Sequence, residues 1–311
     1  MLKDNFLLTQ KVCCVVNPCA ARNKWQRRKR FRTCLQKNLP VEIVDIEMKR
    51  EEMINLVKEK CLKNDVIVAV GGDGTMADVL QGIVDSGRSK DVRLGIIPLG
   101  SGNAFRKSFK IPRSLKKALK ILAKGETREM DLIDIEGKVA GFASIGATAQ
   151  VTLEKLKYRI HGLLGHLLAS RIMLRLPSKE QEIELFDGLS DDGEHFDRKK
   201  LKVKVFECII GKTNYFGYNW KAAPKARIDD GFLDITLLEV SGPKYFFLFP
   251  LIYFGLFQKR QKHFKARRMI VRGKDLPVQY NGEALGVKDS FEFKVLPRAL
   301  KLICPAKRSS G

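Results

Sequence analysis

The sequence lacks the marks of several classes of protein. Its seven cysteines (Cys13, Cys14, Cys19, Cys34, Cys61, Cys208 and Cys304) are odd in number and have no Cys-x-x-Cys spacing. Several lie in apolar, strand-like runs, and they read as free thiols in a reducing compartment. The opening MLKDNFLLTQ has no apolar stretch of the secretory-signal kind. The longest apolar run, Tyr245–Phe257 (YFFLFPLIYFGLF), has about thirteen residues against the roughly 20 of a spanning helix. There is no internal repeat and no long low-complexity linker, only a short basic and polar tail at Lys307–Gly311. The expectation is a cytoplasmic protein, soluble or peripherally bound to a membrane. Acidic residues are also scarce: 35 Asp and Glu face 58 Lys and Arg, a formal charge of +23. Such a field calls for an anionic partner, and nucleic acid, an anionic membrane and a nucleotide triphosphate all fit it.

What is present suggests an ordinary globular chain, with 311 residues, 44% of them hydrophobic, and room for two domains. Val66–Val70 is a continuous run of small and branched apolar residues, as in a parallel strand covered on both faces. It runs directly into Gly71-Gly72-Asp73-Gly74-Thr75 and then a helical pattern. Glycines at a strand end let the backbone approach a ligand, and the N–H groups opening a helix attract anions, phosphate above all. An acid inside such a turn must bind Mg²⁺ or take a proton, since its charge otherwise repels the ligand. Lys11–Asn17 and Val92–Ile97 are further strands ending in loops of Gly, Ser, Asn or Asp (Asn17–Asn23 and Gly100–Asn103), and Val41–Ile46 is a short fourth. Helical patterns at Trp25–Leu35, Met53–Cys61, Thr75–Val84, Phe105–Ser108 and Leu115–Ala123 alternate with them, which indicates a parallel sheet with a site at its carboxyl edge.

From about Thr127 the pattern changes to paired extended runs: Glu129–Ile135 with Lys138–Ser144, Glu182–Phe186 with Lys202–Ile210, and Phe232–Val240 with Met269–Arg272. These suggest an antiparallel second domain. Gly188–Lys200 is polar enough for an exposed loop. Tyr158–Leu176 and Pro243–Gln261 read as apolar helices with basic ends. His161 and His166 are five apart, the wrong interval for one helical face, so a metal pair there is not expected.

The strings GGDGTMADVLQGI, PLGSGNAF, MDLIDI, PKARIDDGFLDI and YNGEALG, in this order, resemble the diacylglycerol kinase catalytic-domain family of lipid kinases. The resemblance runs from Asn17 to Glu283. It implies an N-terminal nucleotide-binding α/β domain like that of NAD kinase and phosphofructokinase over residues 1–127, to which 296–311 return, with Ala299–Cys304 as the returning strand. It also implies a C-terminal antiparallel β-sandwich over 128–295 for the lipid, with the active site in the cleft between the domains. By motif position, Gly71, Gly72, Gly74 and Thr75 would hold nucleotide phosphates and Asp73 would be the essential acid. Asn17 would line the adenine or ribose side, and Gly100, Ser101, Gly102 and Asn103 a second phosphate or ribose wall. Glu283 resembles the general base, which would accept the proton of a lipid hydroxyl as the γ-phosphoryl group transfers. Asp230, with the carbonyls of Arg227 and Phe232, matches a structural Mg²⁺ site of bacterial members, and Asp131 a further acid supporting the Asp73 region.

Each motif has a plainer reading. Gly-Asp-Gly can be an ordinary turn, Asn281-Gly282-Glu283 a hairpin turn with an exposed glutamate, Asp230-Gly231 another turn, and Asp131 a strand-end acid holding a backbone N–H. The chain departs from the family pattern at Ala104, where many bacterial members have Asp and sphingosine-kinase-type loops have Ala, at Ala21, where Gly is frequent, and at Asn281, where Asp is usual. Each apolar segment taken singly suits a core helix. Pro243–Phe257 nevertheless combines Phe and Tyr with a following basic run, Lys259–Arg268, whose six Lys and Arg could each add about 1 kcal/mol at an anionic bilayer. The expectation is therefore an ATP- and Mg²⁺-dependent kinase of diacylglycerol, or of a sphingoid base or other lipid alcohol, working at an anionic membrane surface. Nucleic acid is not expected as a partner, and a homodimer is compatible with the reading. The rival readings are an NAD kinase and a non-catalytic basic module for membranes or nucleic acid.

Overall fold

The structure, a computed structural model, describes residues 5–18, 33–34, 36–37, 41–45, 49–100, 104–158, 171–216, 220–257 and 261–306. The chain divides into two compact units, Met1–Met130 with Arg298–Gly311, and Asp131–Pro297.

The first unit is built on parallel strands β1 (Val12–Val16), β2 (Val41–Asp45), β3 (Val66–Gly71) and β4 (Arg93–Pro98). β1 lies between β2 and β3, and β3 pairs with β4 on its other side. Every residue of β1 and β3 is buried, so a polar side chain would be stranded on either face. Val12, Cys14, Val16, Val66, Val68 and Val70 form one side of the core with Leu119, Leu122 and Ile303. Helices α1 (Arg50–Lys63) and α2 (Asp73–Asp85) cross closely at Gly82, where a Cβ would come within 2.6 Å of Val57. α3 (Ala104–Ser108) is a single turn, and α4 (Leu115–Lys124) stops at Gly125, whose φ of 67° is the left-handed cap that glycine adopts without strain. The final stretch of the chain returns here: Lys301 and Leu302 pair in parallel with Arg93 and Leu94 of β4.

The second unit contains β6 (Lys138–Ala140), β7 (Phe142–Gly146), β8 (Lys179–Ser190), β9 (His195–Val205), β10 (Glu207–Gly211), β11 (Leu233–Leu238), β12 (Lys262–Tyr280) and most of β13 (Glu283–Ile303), with β5 (Thr127–Ile135) entering from the first unit. The described pairings within it are antiparallel. β12 is long enough to pair with β11 at its start and β7 near its end, and β10 joins β7 to β11. The enclosed core includes Ile145, Leu185, Ile210, Ile235, Val271, Phe291 and Phe293. α5 (Ala147–Tyr158) and α6 (Gly242–Tyr253) belong to a second apolar cluster with Phe206, Tyr245 and Ile252.

Several elements differ from their sequence expectations. The Gly188–Lys200 loop is instead the tip of the β8–β9 hairpin, with only Asp191–Glu194 in the turn and Gly193 at φ 87°. Its charged side chains face water along a two-sided strand, and Arg198 and Lys200 pair with Glu184 across it, so polarity here marks an exposed strand face. β11 pairs with Lys262–Ala266, not Met269–Arg272, which instead pairs with β8 and β13. Ser144 belongs to β7, a strand separate from β6. The α6 helix ends at Tyr253, and the basic run after it is strand from Lys262 on, while Lys259 and Arg260 lie outside the described residues. Most of Tyr158–Leu176, including His161 and His166, also lies outside them. The described cysteines Cys13, Cys14, Cys34, Cys61, Cys208 and Cys304 are free thiols.

Candidate active site

The carboxyl ends of β1, β3 and β4 are tied together by backbone hydrogen bonds. Asn17 N–H donates to Val70 O at 3.4 Å, and Leu99 and Gly100 N–H donate to Gly71 O at 2.8 and 3.2 Å. Two glycines make this contact sterically permissible. A Cβ on Gly71 would strike Thr75 Oγ1 at 2.4 Å, and one on Gly72 would reach Gly100 Cα at 3.3 Å. Gly72 caps α2, its carbonyl accepting from Met76 N–H at 3.0 Å, so the N–H groups at Asp73, Gly74 and Thr75 open the helix without helical partners of their own.

Asp73 is the first residue of α2, where the helix dipole favours its negative charge. Its Oδ1 accepts the Ala104 N–H at 2.7 Å, which fixes the exit of the second glycine loop against the first. Ala104 is fully buried. Ser101, Gly102 and Asn103 lie outside the described residues. A narrow crevice at this edge is lined by Gly71, Gly72, Asp73, Met76, Phe105 and Arg106.

Arg106 lines that crevice, and Lys107 and Arg113 are close enough to it to interact with its charge. Burial pushes the Lys107 ammonium down to about 8, the charges of Arg106 and Arg113 push it the same way, and Asp73 opposes them. Burial and Arg113 likewise lower the Arg106 guanidinium, again against Asp73. Cations this crowded are relieved by an anion. Arg106 and Lys107 drew no site expectation from the sequence, because Phe-Arg-Lys on a helical turn reads as a solvated face.

In the second unit, Glu283 begins β13 directly after the Asn281-Gly282 turn, with φ of 50° and 86°, and pairs with Tyr280. The plain hairpin reading of this motif is thus correct as geometry. Asn281 is buried: its Oδ1 accepts Gly141 N–H at 2.9 Å and its Nδ2 donates to Val139 O at 3.1 Å. Glu283 itself is half-exposed beside Lys155 of α5, whose ammonium burial pushes down and Glu283 pulls back up.

Two of the oxygens expected to hold a structural Mg²⁺, Asp230 Oδ1 and Phe232 O, lie against an ammonium, with Asp131 beside them. Lys212, directly after β10, is completely buried, and its Nζ lies 3.1 Å from Asp131 Oδ2, 2.7 Å from Asp230 Oδ1 and 2.5 Å from Phe232 O. Asp131 Oδ2 also accepts Gly231 N–H at 2.7 Å, so Asp131 belongs to the Asp230 cluster of the second unit. The Arg227 N–H donates to Asp234 at 3.0 Å. Burial pushes the Asp230 carboxyl up, but Lys212 and Lys265 outweigh that and hold it below its ordinary value. Among the described residues, no group of three or more His, Cys, Asp and Glu side chains is placed to hold a metal.

Residues 11–135 match the family described as diacylglycerol kinase catalytic domain, and residues 186–304 the one described as YegS C-terminal NAD kinase beta sandwich-like domain. Over the first of these segments the chain is similar to the diacylglycerol kinase catalytic-domain family. Proteins named diacylglycerol kinase from Staphylococcus aureus strains JH9 and Newman are each 27% identical to it over 181 residues, 57% of this chain and 53% of theirs. The chain thus spans about half the length of the curated relatives it matches. A crystal structure of a diacylglycerol kinase from Bacillus anthracis str. Sterne superposes with a TM-score of 0.72 at 19% identity, covering 96% of this chain and 98% of that one. A second structure from the same organism gives 0.74 at 20% identity with the same coverage. At these identities the structures establish the fold: an α/β unit followed by a β-sandwich-like unit. Within this fold, the GGDG turn is the helix-opening strand end described above.

Proposed function

We propose that the protein is an ATP-dependent lipid kinase that transfers the γ-phosphoryl group to a lipid hydroxyl, with diacylglycerol as the acceptor and phosphatidic acid as the product. The observation that carries this reading is the tied set of strand ends at Gly71, Gly72 and Gly100, where a helix N-terminus and Arg106 line one small crevice and the charges of Lys107 and Arg113 are nearby. Such a place suits a polyphosphate. Gly71, Gly72, Gly74 and Thr75 take the phosphates, Asn17 and the Gly100–Asn103 loop the sugar and base side, and Asp73 keeps the two glycine loops in register. A Mg²⁺ ion bound with the nucleotide would supply neutralisation of the charge that develops on the transferring group. Glu283 takes the proton of the lipid hydroxyl as its oxygen bonds to the γ-phosphorus and the bond to the β-phosphate oxygen breaks, releasing ADP. The names of the curated relatives favour diacylglycerol, whereas the closed-in Ala104, shared with sphingosine-kinase-type loops, favours a sphingoid base or another lipid alcohol.

Access to a lipid surface comes from α6 and the residues after it. Phe247, Phe254 and Leu256 are 79%, 63% and 70% exposed, while Tyr245 and Ile252 of the same helix are buried. The helix thus anchors by one face and offers aromatics on the other, as a monotopic interface does. The basic run contributes less than its composition suggests. Lys262, Lys265, Arg267 and Arg268 pair with Glu239, Asp230, Asp187 and Glu292. No described helix is long and apolar enough to cross a bilayer.

Transfer of radiolabelled phosphate from ATP to a panel of diacylglycerols, sphingoid bases and other lipid alcohols tests the reading, with NAD as a further acceptor. The expected product is phosphatidic acid, and Asp73→Ala should lower the rate by roughly a hundredfold or more. Label appearing only in NADP, or in no product while ATP still binds, would exclude it.

A further inference from the structure

Lys212 occupies a position that hard-cation chemistry would otherwise claim. Two carboxylates and a backbone carbonyl converge on one point, which is the donor set of a divalent cation. That point is held by an ammonium that donates to Asp230 Oδ1 and Phe232 O and forms an ion pair with Asp131 Oδ2. The second oxygen of Asp230 is taken by Lys265 Nζ at 2.5 Å, and Lys265 also lies 3.7 Å from Asp234 Oδ1. A Mg²⁺ ion here would have to displace Lys212 and would meet two ammonium charges, while needing six oxygens at roughly 2.1 Å. The residues present therefore do not fit the metal.

The charges nevertheless balance as they would around a divalent ion. Lys212 and Lys265 together bring two positive charges to Asp131 and Asp230. The anchored segments are far apart in sequence: the Asp131 strand, the end of β10 and the Asp229–Phe232 turn, where Gly231 N–H also reaches Asp131. A cation at the centre is what holds three such segments together.

We propose that Lys212, supported by Lys265, is a built-in replacement for a structural divalent cation, so that the second unit keeps its Asp131–Asp230 junction without metal. The site left by truncating Lys212 is then a latent divalent-cation site. This inference concerns stability and metal content, and its outcome does not depend on which lipid is phosphorylated.

The test uses the full chain without nucleotide. Wild-type protein should carry no equimolar divalent metal by elemental analysis, and its Tm should be unchanged by EDTA or by millimolar Mg²⁺ or Ca²⁺. Bound equimolar metal, or a Tm that falls in EDTA, overturns the proposal. Lys212→Ala should lower Tm by roughly 5–15 °C, because two buried carboxylates lose their counter-charge. Mg²⁺ or Ca²⁺ should restore part of that loss with one-site saturation, and should do so no longer in Lys212→Ala combined with Asp230→Asn. Lys212→Met, which fills the space without charge, should be destabilised with no metal response. A Lys212→Ala protein as stable as wild type, or one that metal leaves unchanged, would also overturn it. If that variant folds only when metal is supplied during refolding, the proposal stands.

Discussion

Asn281 occupies a turn position that could have carried an aspartate, and its contacts give the reason it does not. Its amide accepts from Gly141 N–H and donates to Val139 O, both buried. A carboxylate could satisfy the first partner but would set an oxygen against the second. Asn281→Asp should therefore cost about 1–3 kcal/mol in denaturant unfolding, the cost of an unpaired buried carbonyl. Lys107 gives a second prediction at this scale. Its ammonium is held down to about 8 by burial and by its arginine neighbours. A bound polyphosphate would draw it back up, so nucleotide binding at pH 8 to 9 should take up a fraction of a proton, and affinity should fall as pH rises through that range. Calorimetry in buffers of different ionisation enthalpy measures the uptake, and Lys107→Met should abolish it.

Among the elements, α6 separates two roles that its composition confuses. Thirteen apolar residues in a row read equally well as core or as membrane face, because hydropathy does not record which side of a helix is covered. The structure buries Tyr245 and Ile252 against Phe206 and Met173, and leaves Phe247 outside. Phe247→Asp with Phe254→Ser should reduce binding to vesicles by roughly tenfold or more in sedimentation, while ATP binding stays unchanged. The β8–β9 hairpin has the opposite history. Its Asp, Glu, Arg and Lys suggest a loop, yet they are the water-facing members of a strand pair whose apolar members, such as Val203 and Val205, face the core. Composition alone loses the period-2 signal when one face is almost wholly charged.

The stability of the whole molecule carries a pH dependence set by one buried acid. Glu207 opens β10 within the apolar cluster beneath α6, and burial pushes its carboxyl up to about 7, with the Thr148 N–H at 2.8 Å opposing. Unfolded, it titrates near the ordinary glutamate value of 4.5. The folded state therefore binds more protons between these values, and stability falls as pH rises from about 4.5 through 7, remaining lower above it. The full difference is about 3 kcal/mol. Glu207→Gln should flatten that slope in urea midpoints measured across the same range.

What the sequence determined by itself is the part of this protein that is local. Buried parallel strands are continuous apolar runs, and the residues that open a phosphate-binding turn follow their strand directly, so β1, β3, β4, the GGDG turn and the Asn-Gly turn before Glu283 were all legible residue by residue. The tertiary structure decided what depends on distant segments meeting. It set the pairing of β11 with Lys262–Ala266, the ion pairs that occupy much of the basic run, and the meeting of the Lys212 ammonium with Asp131 and Asp230. Lys212 is separated from Asp131 by about eighty residues, and no local pattern marks it. Its charge acquires meaning only where folding removes water from three chain segments at once, because there an unpaired carboxylate is costly and one cation must serve them all.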